Sequence, residues 1–173
     1  MNNPVSILHE EHKLLIDAIE KTRQVQSIQD TTIYQALIHD MIVFFHNFTE
    51  MCHFPKEDKV LFPMVQGRTQ RLDALFIDEM YSHHQDLEQF ISEILDAYNM
   101  HDYRTVRLAM NKYLNELEDE IETEEREILS IADALLSVKE SEAACKDFER
   151  HDERLGVIGT IKGNYRNFSD FTV

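Results

Sequence analysis

The segment CHFPKEDKVLFP, residues 52–63, sets His53 and Glu57 four residues apart. On a helix that spacing puts an imidazole and a carboxylate on one face, about a turn apart. At ~100° per residue, Ile42, His46, His53, Glu57, Val60 and Met64 share one stripe, so the pair is expected on the buried face. An ionised carboxylate in an apolar stripe is costly unless a cation or a set of donors meets it, and a metal ion is the simplest such partner.

Outward from this segment the chain reads as helix. Asn3 and Pro4 suit a first cap and first turn, and the helix they open runs to about Gln26. The polar stretch 27–32 offers Asp30, Thr31 or Thr32 as the next cap, for a helix to about Met64. Pro55 lies inside it and is expected to bend or break it. Pro63 and Gly67 end that pattern. A third helix is expected over roughly Thr69 to Tyr98, a fourth from about Tyr103 to Val138, and a shorter acidic one from Ser141 to Arg154. Gly156, Gly159 and Gly163 mark an irregular tail. No stretch alternates as a strand does. Four long helices with short links predict an all-α, up-down-up-down four-helix bundle over residues 1–138, with 139–173 as a C-terminal extension.

The same anomaly recurs on the other helices. Val5, Leu8, His12, Leu15, Ile16 and Ile19 share a face with His12 near its centre. Ile77, Met80, His84, Leu87, Ile91 and Leu95 share another, with His84 central and His83 turned ~100° away. Leu117, Ile121, Ile128, Ile131 and Leu135 define the fourth stripe; Glu124 fills its central gap, and Glu120 lies to one side a turn earlier. Any one histidine on an apolar face is more often a hydrogen-bonded core residue than a ligand. The coincidence across four helices, at one depth of an antiparallel bundle, is what points to metal. His12, His53, Glu57, His84, Glu120 and Glu124 are six candidate ligands of histidine and carboxylate type. Zinc usually takes four, often thiolates. Two carboxylate-bridged ions use six, which suits iron or manganese in a bundle core. Cys52 points ~100° from His53 and reads as packing or an outer contact.

Composition narrows the function classes. The 173 residues are 43% hydrophobic, enough for one domain with a real core. A formal charge of −16 argues against nucleic acid and anionic membranes as partners. No apolar run reaches the ~18 residues of a membrane span. The start, MNNPVSILHEEH, is charged where a signal peptide needs an apolar core. Two cysteines, Cys52 and Cys145, make no disulfide framework, so a cytoplasmic setting is expected.

Residues 52–63 resemble the second-helix motif C-H-H-x-K-E-E-x-x-L-F-P of the hemerythrin-like, or HHE cation-binding, family. FFHNF at 44–48, HEEH at 9–12, the histidine in the middle of the third helix and the ligand pair on the fourth are similar to that family as well. The resemblance covers roughly residues 5–137. It implies a four-helix bundle with a non-haem di-iron centre held by His12, His53, Glu57, His84 and Glu124, with Glu57 and Glu124 as bridges. Two positions depart from the pattern. Glu120 stands where a histidine is usual, and Phe54 where the family commonly has another histidine. Three carboxylates leave two ferrous ions one positive charge in excess, so Glu120 is expected to favour the ferric state relative to a Glu120→His variant. The resemblance further implies a small diatomic ligand or peroxide as partner. It leaves three functions open: binding or sensing of oxygen, nitric oxide or iron; a di-iron oxidoreductase, including nitric oxide or peroxide reduction and iron–sulfur cluster repair; and a metal-dependent interaction module.

Overall fold

A computed structural model of the chain describes residues 3–156. Five helices account for nearly all of them, and no strand occurs among the described residues. Helix α1 spans Pro4–Gln26, with the Asn3 side chain accepting from Val5 N–H and Pro4 at the first turn. Helix α2 covers residues 31–65 and is capped by Asp30, which accepts from Ile33 N–H. Helix α3 spans Ala74–Asn99, α4 covers residues 103–135, and α5 spans Val138–Leu155. Around the bundle α1 packs on α2 and α4, α2 on α3, and α3 on α4, as an up-down-up-down connection requires. Helix α5 lies over α1 and α2.

Helix ends differ from the sequence expectation where side chains outcompete periodicity. The third helix begins at Ala74, not near Thr69: Thr69 Oγ1 accepts from Leu72 N–H, and Asp73 caps by accepting from Phe76 N–H. The turn before it needs a left-handed residue, supplied by Gly67 at φ +73°. The fourth helix stops at Leu135, and the fifth starts three residues early. Ser137 and Glu140 form a capping box there, each side chain bonding the other's backbone. Gly156 ends α5 in the left-handed region. The tail marked by Gly159 and Gly163 lies outside the described residues.

Pro55 does not break α2. Wide π turns flank it, over His46–His53 and Glu57–Leu61. Phe54 N–H donates to Thr49 O, five residues back, and Phe62 N–H to Glu57 O, also five back. The shift in bonding register on either side lets the helix pass a residue with no donor. A third π segment, Glu124–Leu129, interrupts α4. All three lie beside the buried polar layer, where such segments often occur. They also rotate the helix faces. His46, expected on the inner stripe of α2, is half exposed and hydrogen-bonded to Glu50 instead. On α4 the buried positions after Glu124 become Ile128, Leu129 and Ala132.

The interior has three levels. One apolar cluster includes Leu15, Ile19, Ile38, Phe45, Ile91, Tyr113 and Leu117. A second includes Leu8, Leu61, Phe62, Ile77, Met80, Ile128 and Phe148. Between them each bundle helix contributes buried polar residues: His12 between Leu8 and Leu15, Glu57 between Phe54 and Leu61, His84 between Met80 and Leu87, Glu124 between Ile121 and Ile128. Apolar packing on both sides keeps this layer from water, which is what makes its charges expensive to leave unpaired.

Candidate metal centre

Six side chains meet in that layer. His12, His53, Glu57, His84, Glu120 and Glu124 are all buried, with Glu57 at 0% exposure and Glu120 at 4%. Glu120, off-centre on the sequence stripe, therefore turns inward. The six divide into two overlapping groups, His12, His53, Glu57 and Glu124, then His84, Glu120 and Glu124. On the first side His12 Nε2 lies 3.3 Å from Glu57 Oε1 and 3.3 Å from Glu124 Oε2, and His53 Nε2 lies 3.4 Å from Glu57 Oε1. On the second side His84 Nε2 lies 3.3 Å from Glu120 Oε1, 3.5 Å from Glu124 Oε1 and 3.7 Å from Glu57 Oε2. Glu57 and Glu124 thus show one oxygen to each side.

The imidazoles are aimed by carboxylates behind them. His12 Nδ1 is 2.7 Å from Glu125 Oε1, His53 Nδ1 is 3.0 Å from Glu11 Oε2, and His84 Nδ1 is 2.7 Å from Asp58 Oδ1. An ionised carboxylate only accepts, so Nδ1 carries a proton and donates in each pair. In the neutral ring Nε2 then faces the layer with its lone pair, the arrangement usual behind metal-ligating histidines. Each of these carboxylates is the chain neighbour of a layer residue yet serves a histidine on another helix: Glu11 of α1 serves α2, Asp58 of α2 serves α3, and Glu125 of α4 serves α1. Sequence reasoning missed all three. The only trace of them is the acidic doublets around the candidates, at Glu10–Glu11, Glu57–Asp58 and Glu124–Glu125. His84 is also clamped by rings. Phe54 stacks on it at 3.8 Å between centroids and Phe62 at 5.6 Å.

Behind His53 the network continues. Lys56, fully buried, donates to Glu11 Oε1 at 2.6 Å and lies 2.8 Å from Asp152 Oδ1 and 3.6 Å from Cys52 Sγ. Cys52 belongs to neither ligand group. His9 is half exposed and leans on Glu125, while His83, His101 and His151 lie outside the layer.

The charge state of the layer shows what it lacks. Burial, then the nearby Glu124, push the Glu57 carboxyl up. Burial drives Glu120 well above the carboxylate range, with His84 opposing and Glu124 and Glu57 adding to it. Burial acts to raise Glu124 too, but His12 and His84 on its two sides hold it below that range. Burial disfavours the charged forms of His12 and His84, yet the carboxylates around each hold both well above 6.5. Within the protein's own side chains, protons are thus what balances these buried carboxylates. His12 Nε2, His84 Nε2, both oxygens of Glu57 and of Glu120, and Glu124 Oε1 have no hydrogen-bond partner among the described residues. So many buried, unpartnered donor atoms converging on one layer fit bound cations, and the histidine–carboxylate set suits divalent first-row metals.

No helix among the described residues is long and apolar enough to cross a membrane. Among curated proteins none matches the chain. The hemerythrin HHE cation-binding domain model matches residues 3–132, a span that holds all six layer residues and the three carboxylates behind them, and the chain belongs to that family.

Proposed function

We propose that the layer holds two iron ions and that the chain binds or senses oxygen, nitric oxide or iron through them, in the cytoplasm. The observation that carries this reading is the placement of Glu57 and Glu124, each with one oxygen toward His12 and the other toward His84. His12 and His53 would complete one position and His84 and Glu120 the other. Manganese or zinc would meet the same donors; a carboxylate-rich layer in a bundle core suits iron or manganese, and iron is the metal that the family resemblance implies. Bound iron would supply one-electron redox chemistry and an affinity for small diatomic ligands. The chain's own part is to fix the imidazoles through Glu11, Asp58 and Glu125 and to exclude bulk water with the apolar clusters on either side. Protein purified without air and then exposed to oxygen or nitric oxide tests the reading. New visible absorption that disappears in His53→Ala is expected; an unchanged spectrum with iron bound contradicts it.

One observation favours a second reading, a di-iron oxidoreductase acting on nitric oxide or peroxide or in iron–sulfur cluster repair. Glu120 makes three carboxylates against three histidines. Negative charge at the ions favours their oxidised state and hence electron donation to a bound substrate. Sustained turnover with a chemical reductant and nitric oxide or peroxide would establish this reading; a single stoichiometric reaction would return the protein to the binding or sensing class.

A further inference from the structure

Helix α5 (Val138–Leu155) follows the residues matched by the family model, yet it reaches the neighbourhood of His53. Two of its side chains close over Lys56: Asp152, with Oδ1 at 2.8 Å from Nζ, and Phe148, whose ring centroid is 6.0 Å away. His151, one residue before Asp152, lies with Nε2 2.8 Å from Met51 O and fastens the same stretch to α2. Lys56 is 0% exposed. A buried ammonium is tolerated only where its donors are met, and here two carboxylates meet them, one from α1 and one from α5. Glu11 in turn spends one oxygen on Lys56 and the other on His53 Nδ1–H. The result is an unbroken line of contacts, Asp152 to Lys56 to Glu11 to His53, from the last described helix to the metal layer.

We propose that α5 is a positioning element of the centre, and that Asp152, acting through Lys56 and Glu11, sets the orientation of His53 and its strength as a ligand. This rests on the reading of the layer as a metal site. Lys56 divides its donation between Asp152 and Glu11. With Asp152 neutralised, the ammonium bonds Glu11 more strongly and draws charge from it. Glu11 then accepts less strongly from His53 Nδ1–H, and Nε2 becomes a poorer donor. Removing the Asp152 charge itself acts in the same direction. Both effects weaken metal binding on the His12–His53 side and raise the reduction potential. The linkage is reciprocal: whatever holds α5 in place tightens the centre, and metal in the centre holds α5 in place. A partner that lifted α5 would loosen the centre without touching a ligand.

Asp152→Asn is the direct test, read by anaerobic competition of ferrous or cobaltous ion against a chelator and by redox titration. An affinity loss of about 3- to 10-fold is expected, below the ~10–100-fold typical when a direct partner of a ligating histidine is removed. A higher potential is expected with it. Asp147→Asn is the control: it removes the same charge from the same helix at a half-exposed position paired with Arg150. It should change neither reading, and Asp152→Glu should recover most of the loss. A folded Asp152→Asn protein that behaves like Asp147→Asn overturns the proposal. Hydrogen exchange on the unaltered chain gives a second reading that no misfolded variant can obscure. Metal loading should slow exchange in residues 145–155, and equal rates with and without metal overturn the proposal. An unaltered chain that takes up no metal overturns the reading of the layer itself and this proposal with it; metal uptake with Asp152→Asn unaffected overturns the role of α5 alone.

Discussion

The two sides of the layer share Glu57 and Glu124 and differ in everything else. One adds two imidazoles, His12 and His53, with rings 4.9 Å apart and edge to face. The other adds one imidazole and one carboxylate, His84 and Glu120, and walls its histidine with Phe54 and Phe62. The first side is richer in neutral nitrogen donors, the second in negative charge. Charge and donor type therefore divide unequally within a few ångströms. The two ions proposed here would not be equivalent: the first position has two imidazoles to the second's one, and the second is biased toward the oxidised state.

Breaking the shared residues has the largest expected effect. Glu57→Ala or Glu124→Ala should cost both positions their metal. The loss in total uptake should exceed the ~10–100-fold seen when only an outer partner is lost. Elemental analysis beside a helical circular-dichroism spectrum checks this, and a variant that keeps one full equivalent would show that the residue does not bridge. Next in size is a one-sided loss. His84→Ala should empty the second position and spare the first, with metal content falling to about half, whereas His12→Ala should weaken the first. Equal behaviour of the two variants would erase the distinction between the sides.

Of the expected side chains, the six layer residues were legible because apolar periodicity exposes a polar residue that interrupts it. The bundle was legible for the same reason, with caps at Asn3 and Asp30 and few glycines. Two things were not. A constant ~100° per residue sets the expected helix phase, and π turns violate it. His46, which that rule places on the inner face of α2, therefore lies half exposed and paired with Glu50. The partners behind the histidines were also hidden. Glu11, Asp58 and Glu125 look like any acidic residue on a solvated helix, and only tertiary packing shows that each serves a histidine of a neighbouring helix. Nothing in the sequence marks Lys56 as buried; Asp152 and Phe148 of α5 close over it.

Smaller effects sharpen the comparison. Glu120→His exchanges a charged ligand for a neutral one on the second side, so the variant should show the higher reduction potential in a redox titration; an equal or lower potential would show that Glu120 does not set the asymmetry. Protons compete with metal for the same atoms. His12 and His84 hold their protons well above 6.5 in the metal-free protein, so loading must displace them. The sign follows: the proton-held arrangement stabilises the metal-free fold below the histidine's ordinary value and loses that contribution as pH rises through the raised one, while metal affinity increases over the same interval. Calorimetry in buffers of differing ionisation heat should register proton release on loading, and none would contradict the shared-atom picture. Smallest of all is Arg23→Ala, which breaks a partly exposed ion pair between Arg23 of α1 and Glu118 of α4. About a third exposed on both sides, that pair is expected to contribute no more than ~1 kcal/mol to thermal stability and to leave metal uptake unchanged.

The central claim is that Glu57 and Glu124 join two metal positions in one layer. Metal counting tests it most directly: the protein is loaded with ferrous ion without air, freed of excess metal and assayed for iron per folded chain. A dinuclear centre predicts about two, falling to about one in His84→Ala. One ion in the unaltered chain, or none in a fully folded one, would contradict it.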